Sequence, residues 1–131
     1  MIEPHAASEK QTKTILIVED DIEIGYFLAQ ALKEEPHYQV IFATDGFQAL
    51  KMVQSLVPDL VLLDYLLPRV NGLEVAQQLR ASEDENLRHV PLILMSANLP
   101  KHIPSYEDIL VLHKPFDLDF MLKRIKQILD S

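Results

Sequence analysis

Four short runs of unbroken apolar residues, Ile-Leu-Ile-Val at 15–18, Leu-Val-Leu-Leu at 60–63, Leu-Ile-Leu-Met at 92–95 and Ile-Leu-Val-Leu at 109–112, alternate along this chain with longer segments of helical period. A run of this kind is too short and too continuously apolar for an amphipathic helix, and it suits a strand buried on both faces. A fifth strand is expected at 38–43, rich in branched and aromatic residues. Strands that alternate with helices predict a parallel sheet covered on both sides, a doubly wound α/β architecture. At 131 residues the chain has material for one such domain and not two, burying ~68% of its unfolded surface.

The segments between the runs have their own signals. Ile24, Phe27, Leu28, Ala31 and Leu32 recur at i, i+3, i+4, i+7 and i+8, which predicts a helix with these residues on its core face, ending near Pro36. Gly25 lies inside it at a local cost of ~1 kcal/mol relative to Ala. Ala49, Val53, Leu56 and Val57 share a face of a second helix that Pro58 ends. Asn71 is placed to cap a third, with Glu74 completing a capping box and Val70 and Val75 forming a hydrophobic staple. Residues 82–86 read as a polar surface loop before a strand at 90–95. Pro100 and Pro104 leave room for at most a short helix between 97 and 108. Leu118, Met121, Leu122, Ile125 and Ile128 form the core face of the last helix. Residues 1–13 read as a flexible N-terminal tail and 14–131 as the domain.

Composition removes several classes of function. There is no cysteine, hence no disulfide, thiolate nucleophile or cysteine-ligated zinc. A net charge of −8 opposes attraction to nucleic acid phosphates, and no apolar run approaches the ~20 residues of a membrane span. The expectation is a cytoplasmic protein with no direct nucleic acid binding and no membrane contact.

The apolar runs end in chemistry. Asp20 and Asp21 follow the first, Asp64 follows 60–63, Ser96 follows 92–95, and Lys114 stands two residues past the last. In an open parallel sheet, ligands bind outside the carboxyl ends of the strands. Carboxylates gathered there repel one another, and a hard dication with oxygen ligands relieves them. Mg²⁺ suits such a site because it needs few protein ligands and also accepts a phosphate oxygen. Asp64 stands alone at the end of a central strand, and a carboxylate is a competent covalent nucleophile toward phosphorus. Phosphoryl transfer needs mainly positioning and charge neutralisation, which Mg²⁺ and Lys114 supply. A modified Asp64 carries roughly −2 charge and three acceptor oxygens, to which Ser96 can donate.

The ordered set, Ile15 to Asp21 reading Ile-Leu-Ile-Val-Glu-Asp-Asp, then Asp64 with Pro68 and Gly72, then Ser96-Ala97, then Lys114-Pro115-Phe116, resembles the receiver domain of two-component response regulators. The resemblance spans residues 14 to about 129. It implies a flavodoxin-like, five-stranded sheet in the order 2-1-3-4-5. It further implies that Asp64 is the phosphoacceptor, that Asp20, Asp21, Asp64 and the backbone carbonyl of Leu66 hold Mg²⁺, that Ser96 is the switch hydroxyl, and that Lys114 binds the phosphoryl group. The phosphoryl donor would be a histidine kinase or a histidine phosphotransfer protein. The domain would then act as a stand-alone regulator through a downstream protein partner, as a phosphoacceptor with autocatalytic transfer and not as an enzyme with turnover.

Two departures bear on output. Val111 occupies the family's aromatic switch position, and only eighteen positions separate Ser96 from Lys114, so the helix between the fourth and fifth strands is expected to be short or absent. A receiver-like module that no longer cycles phosphate is the alternative reading. A Mg²⁺-dependent phosphatase, or a flavin or nucleotide binder of similar topology, is disfavoured because Leu66 stands where a second carboxylate belongs and no glycine-rich loop exists.

Overall fold

The computed structural model describes residues 11–97 and 109–130. Five parallel strands, β1 (Lys13–Val18), β2 (Tyr38–Ala43), β3 (Leu60–Asp64), β4 (Leu92–Ser96) and β5 (Ile109–His113), form one sheet in the order β2-β1-β3-β4-β5. Five helices are described: α1 (Ile22–Leu32), α2 (Gly46–Ser55), α3 (Gly72–Arg80), α4 (Glu85–Arg88) and α5 (Leu118–Asp130). The expected doubly wound sheet and its strand order are both present.

Alternate residues of the strands feed two cores. On one face Ile15, Ile17, Leu60, Leu62, Ile93 and Met95 pack with Leu28 and Leu32 of α1 and with Met121, Ile125 and Leu129 of α5. On the other, Leu16, Val18, Val61, Leu63 and Leu94 pack with Ala49 and Val53 of α2, Val75 and Leu79 of α3 and Leu87 of α4. This is why the strand sequences are unbroken and not alternating: each residue has an apolar layer to enter. Leu62 has no exposed surface, and truncating such a side chain to Ala costs ~2–5 kcal/mol.

Several local expectations shift. β2 has the expected bounds, Tyr38–Ala43, while the other strands start or stop one or two residues from theirs, as where β1 begins at Lys13 and β4 at Leu92 and not at Val90. The polar stretch around 82–86 is not all loop. Asp84 accepts hydrogen bonds from the Asn86 and Leu87 backbone N–H groups and so caps the single turn of α4. In α1 the core face is Gly25, Leu28, Ala29 and Leu32. Ile24 and Phe27, expected inside, are exposed. In α2 the buried residues are Gly46, Ala49 and Val53, whereas Leu56 and Val57 lie past its end and are exposed. The Asn71–Glu74 capping box of α3 is present in full, with both reciprocal bonds made. Of the expected tail at 1–13, residues 1–10 lie outside those described and Lys13 is the first residue of β1; the expected shortening of the helix after β4 also falls on residues outside those described.

Candidate functional site

β1 and β3 are adjacent and in register from Ile15↔Leu60 to Val18↔Leu63, so the residue after Val18 and the last residue of β3 emerge side by side. They are Glu19 and Asp64, both buried. Among the described residues, carboxylate oxygens of Glu19, Asp20 and Asp64 lie within 4.8 Å of one another. Glu19 and Asp20, not Asp20 and Asp21, are therefore the pair that faces Asp64.

Asp21 has a different task. It is the N-cap of α1, and one carboxylate oxygen accepts from the backbone N–H groups of Glu23 (3.0 Å) and Ile24 (3.3 Å). Its own backbone N–H donates to Glu19 Oε2 at 3.2 Å. Glu19 was not among the expected site residues. Its signal in the sequence is its place as the first residue beyond an unbroken apolar strand, where the side chain has nowhere to go but the rim of the sheet.

Lys114 arrives from the far side. β5 pairs with β4 through Ser96↔His113, and the Lys114 backbone N–H donates to the Ser96 carbonyl at 2.9 Å. The Lys114 Nζ stands 3.4 Å from Glu19 Oε1 and 3.4 Å from Asp64 Oδ1, bridging carboxylates 95 and 50 positions away along the chain. The peptide bond that follows, Lys114–Pro115, is cis. Ser96, 1% exposed, ends β4 one register step beyond the Asp64↔Met95 pair.

The backbone around Asp64 is held on both sides. The Tyr65 N–H donates to the Met95 carbonyl and the Gly72 N–H to the Tyr65 carbonyl, each at 2.8 Å. A Cβ at Gly72 would lie 2.3 Å from the Asp64 carbonyl oxygen, so only glycine lets α3 begin this close to the strand end. In the intervening loop the Leu66 side chain is exposed. Arg69 holds a left-handed backbone (φ 67°) and reaches Asp45, the α2 cap, at 3.2 Å.

Burial is the main cause that pushes the Glu19 carboxyl up to about 7. The hydrogen bond and charge of Asp64 push the same way, against the Asp21 backbone N–H and the Lys114 ammonium, which favour the ionised form. Three carboxylates gathered around a single ammonium leave the cluster with an excess of negative charge. All of its donors are oxygens, the set a hard dication takes.

Known proteins resemble this chain in sequence and in fold. The response regulator receiver domain family matches residues 15–126. The polar-differentiation response regulator DivK of Brucella ovis is 42% identical over 86 residues, covering 66% of this chain and 68% of that one. The receiver domain of a signal transduction histidine kinase from Syntrophus aciditrophicus superimposes with a TM-score of 0.77 at 26% identity, covering 91% of each chain. The receiver domain of a Pseudomonas aeruginosa sensor histidine kinase, solved with a magnesium ion coordinated in its active site cleft, gives 0.75 at 26% identity over 92% of this chain and 99% of that one.

Proposed function

Because this chain belongs to the response regulator receiver domain family, we propose that Asp64 accepts a phosphoryl group from a histidine kinase or a histidine phosphotransfer protein, and that the modified domain alters its binding to a downstream protein partner. The observation that carries the reading is the Lys114 Nζ, 3.4 Å from both the Asp64 and the Glu19 carboxylates. An ammonium so placed neutralises the nucleophile's surroundings now and can turn to a phosphoryl oxygen after transfer.

Glu19, Asp20 and Asp64 would hold Mg²⁺, with the Leu66 carbonyl as a backbone ligand, and the ion would offset charge on the phosphoryl oxygens as they approach. The three clustered carboxylate oxygens fit that ion. Asp21, spent on the α1 cap, is left out of the set. In the transfer, an Asp64 carboxylate oxygen attacks phosphorus, a P–O bond forms as the donor's P–N bond breaks, and the imidazole nitrogen of the donor keeps the bonding pair. The Ser96 hydroxyl then donates to a phosphoryl oxygen, and the backbone after it moves to meet the new charge. The activity is a phosphoacceptor's autocatalysis in the cytoplasm, without turnover of a small substrate.

The alternative, a module that no longer cycles phosphate, is disfavoured by the complete set of nucleophile, acids, hydroxyl and ammonium at one rim. Incubation with acetyl phosphate and Mg²⁺, read by intact-protein mass spectrometry, should add one phosphoryl group to the wild type and none to Asp64→Asn. No addition to the wild type with either acetyl phosphate or beryllofluoride, or full addition to the variant, would overturn the proposal.

A further inference from the structure

The loop between Asp64 and α3 is built under strain. The Val70 N–H donates to the Pro68 carbonyl at 2.8 Å, closing a three-residue turn whose central residue, Arg69, holds φ 67°. Such a turn with a positive central φ is the rare, strained form. A residue with a Cβ stays in it only where the surrounding structure holds it there. Leu66, whose carbonyl belongs to the proposed metal set, stands three residues before Arg69 in the same loop. Whatever fixes the turn therefore also fixes the backbone offered to the ion.

The hold comes from the first turn of α2. Arg69 Nη2 donates to Asp45 Oδ2 at 3.2 Å, while the other oxygen, Oδ1, accepts from the Gln48 backbone N–H at 2.7 Å and caps α2. The Gln48 side chain in turn accepts from the Thr44 N–H at 2.8 Å, so the carboxylate sits in a turn that is already hydrogen-bonded. The guanidinium carbon lies 5.9 Å from the Phe47 ring centroid, within the range of a cation–π contact. The two loops also meet through their backbones, since a Cβ at Gly46 would fall 2.5 Å from the Val70 carbonyl oxygen. Leu67 and Val70 pack against the core beneath, but of residues 66–70 only Arg69 has a polar side chain. It alone gives the turn a directional tie.

We infer that Arg69 is a positioning residue for the phosphoacceptor site: its ion pair with Asp45 keeps the strained turn closed and so keeps the Leu66 backbone in place for the metal. The inference rests on the metal set proposed above. The Arg69 side chain is 69% exposed and that of Asp45 15%. An ion pair exposed at one end biases a loop by no more than its own modest strength, about two- to fivefold in an equilibrium constant, and by less where salt screens it. Mg²⁺ affinity should move by that factor and not by orders of magnitude.

Calorimetric titration of the full chain with Mg²⁺ tests the inference, beside amide hydrogen exchange of the metal-free protein. Arg69→Ala and Asp45→Asn should each weaken Mg²⁺ binding about two- to fivefold. Asn still accepts the Gln48 N–H, so α2 keeps its cap in the second variant. The double variant should be no worse than the more affected single one, because both substitutions remove the same pair. In ~1 M salt, where charges are screened within ~3 Å, the difference from wild type should close. Without metal, the Val70 amide should exchange faster in each variant, with β3 amides at wild-type rates. Wild-type affinity in both single variants, losses that add in the double one, or unchanged exchange at Val70 would each overturn the inference and leave the metal set standing. A wild type that takes up no Mg²⁺ would instead sink the metal set, and this inference with it.

Discussion

At the scale of single residues, the site turns on which acid is a ligand and which is a cap. Asp21 accepts two backbone N–H groups at the start of α1, a job that Ser or Asn performs equally well. Asp21→Ser is therefore expected to keep Mg²⁺ affinity within about twofold and Asp21→Ala to lose ~1 kcal/mol of stability, whereas Glu19→Gln should weaken Mg²⁺ binding at least tenfold; isothermal calorimetry and chemical denaturation measure both. The sequence showed that acids gather at the end of β1, but three in a row, Glu19-Asp20-Asp21, leave the phase open. Only the turn from strand to helix decides which of them look inward. Glu19 also makes metal-free stability depend on pH. Its folded-state value, about 7, lies above the unfolded 4.5, so the folded state keeps the proton longer. Stability is then fullest below about 4.5, declines by a few kcal/mol, an order-of-magnitude figure, as pH rises toward 7, and is level above it. Melting curves in EDTA at pH 5 and pH 8 should show this decline in the wild type and a smaller one in Glu19→Gln.

At the scale of elements, the close approach of α3 to the end of β3 holds the acceptor in place. Gly72→Ala would drive a methyl into the Asp64 carbonyl and is expected to slow phosphorylation by acetyl phosphate at least tenfold, with a melting temperature lowered by several degrees. A wild-type rate in that variant would show that α3 does not position Asp64. The elements were legible to different degrees. Strands buried on both faces and the Asn71–Glu74 capping box were plain, because continuous apolar runs and paired caps each have one physical reading. The inward side of α1 was not. With apolar residues almost all round, the helix offers several equally good stripes, and the one chosen in the fold is set by Gly25, which no hydrophobicity pattern would pick. The single turn of α4 is likewise too short to show a period, and its cap at Asp84 lies within a polar run.

At the scale of the whole molecule, the two cores lock five strand ends into a rim that exists before any ligand arrives, so metal binding should act as added stability. Mg²⁺ at one hundred times its dissociation constant is expected to contribute ~2.7 kcal/mol, a rise of several degrees in melting temperature. Scanning calorimetry with and without the ion would show it, and no rise would argue against a preformed metal site. The parallel sheet with helices on both faces was readable from the alternation of runs and its strand order from the family resemblance, whereas the electrostatic state of the rim came only with burial. One packing detail has a bearing on descent. A Cβ at Gly25 would fall 1.8 Å from the Phe42 ring, so residue 25 gains a side chain only where that ring turns aside or is replaced. In a lineage where residue 25 gains a side chain, residue 42 is expected to have shrunk, and the two should be inherited as a pair.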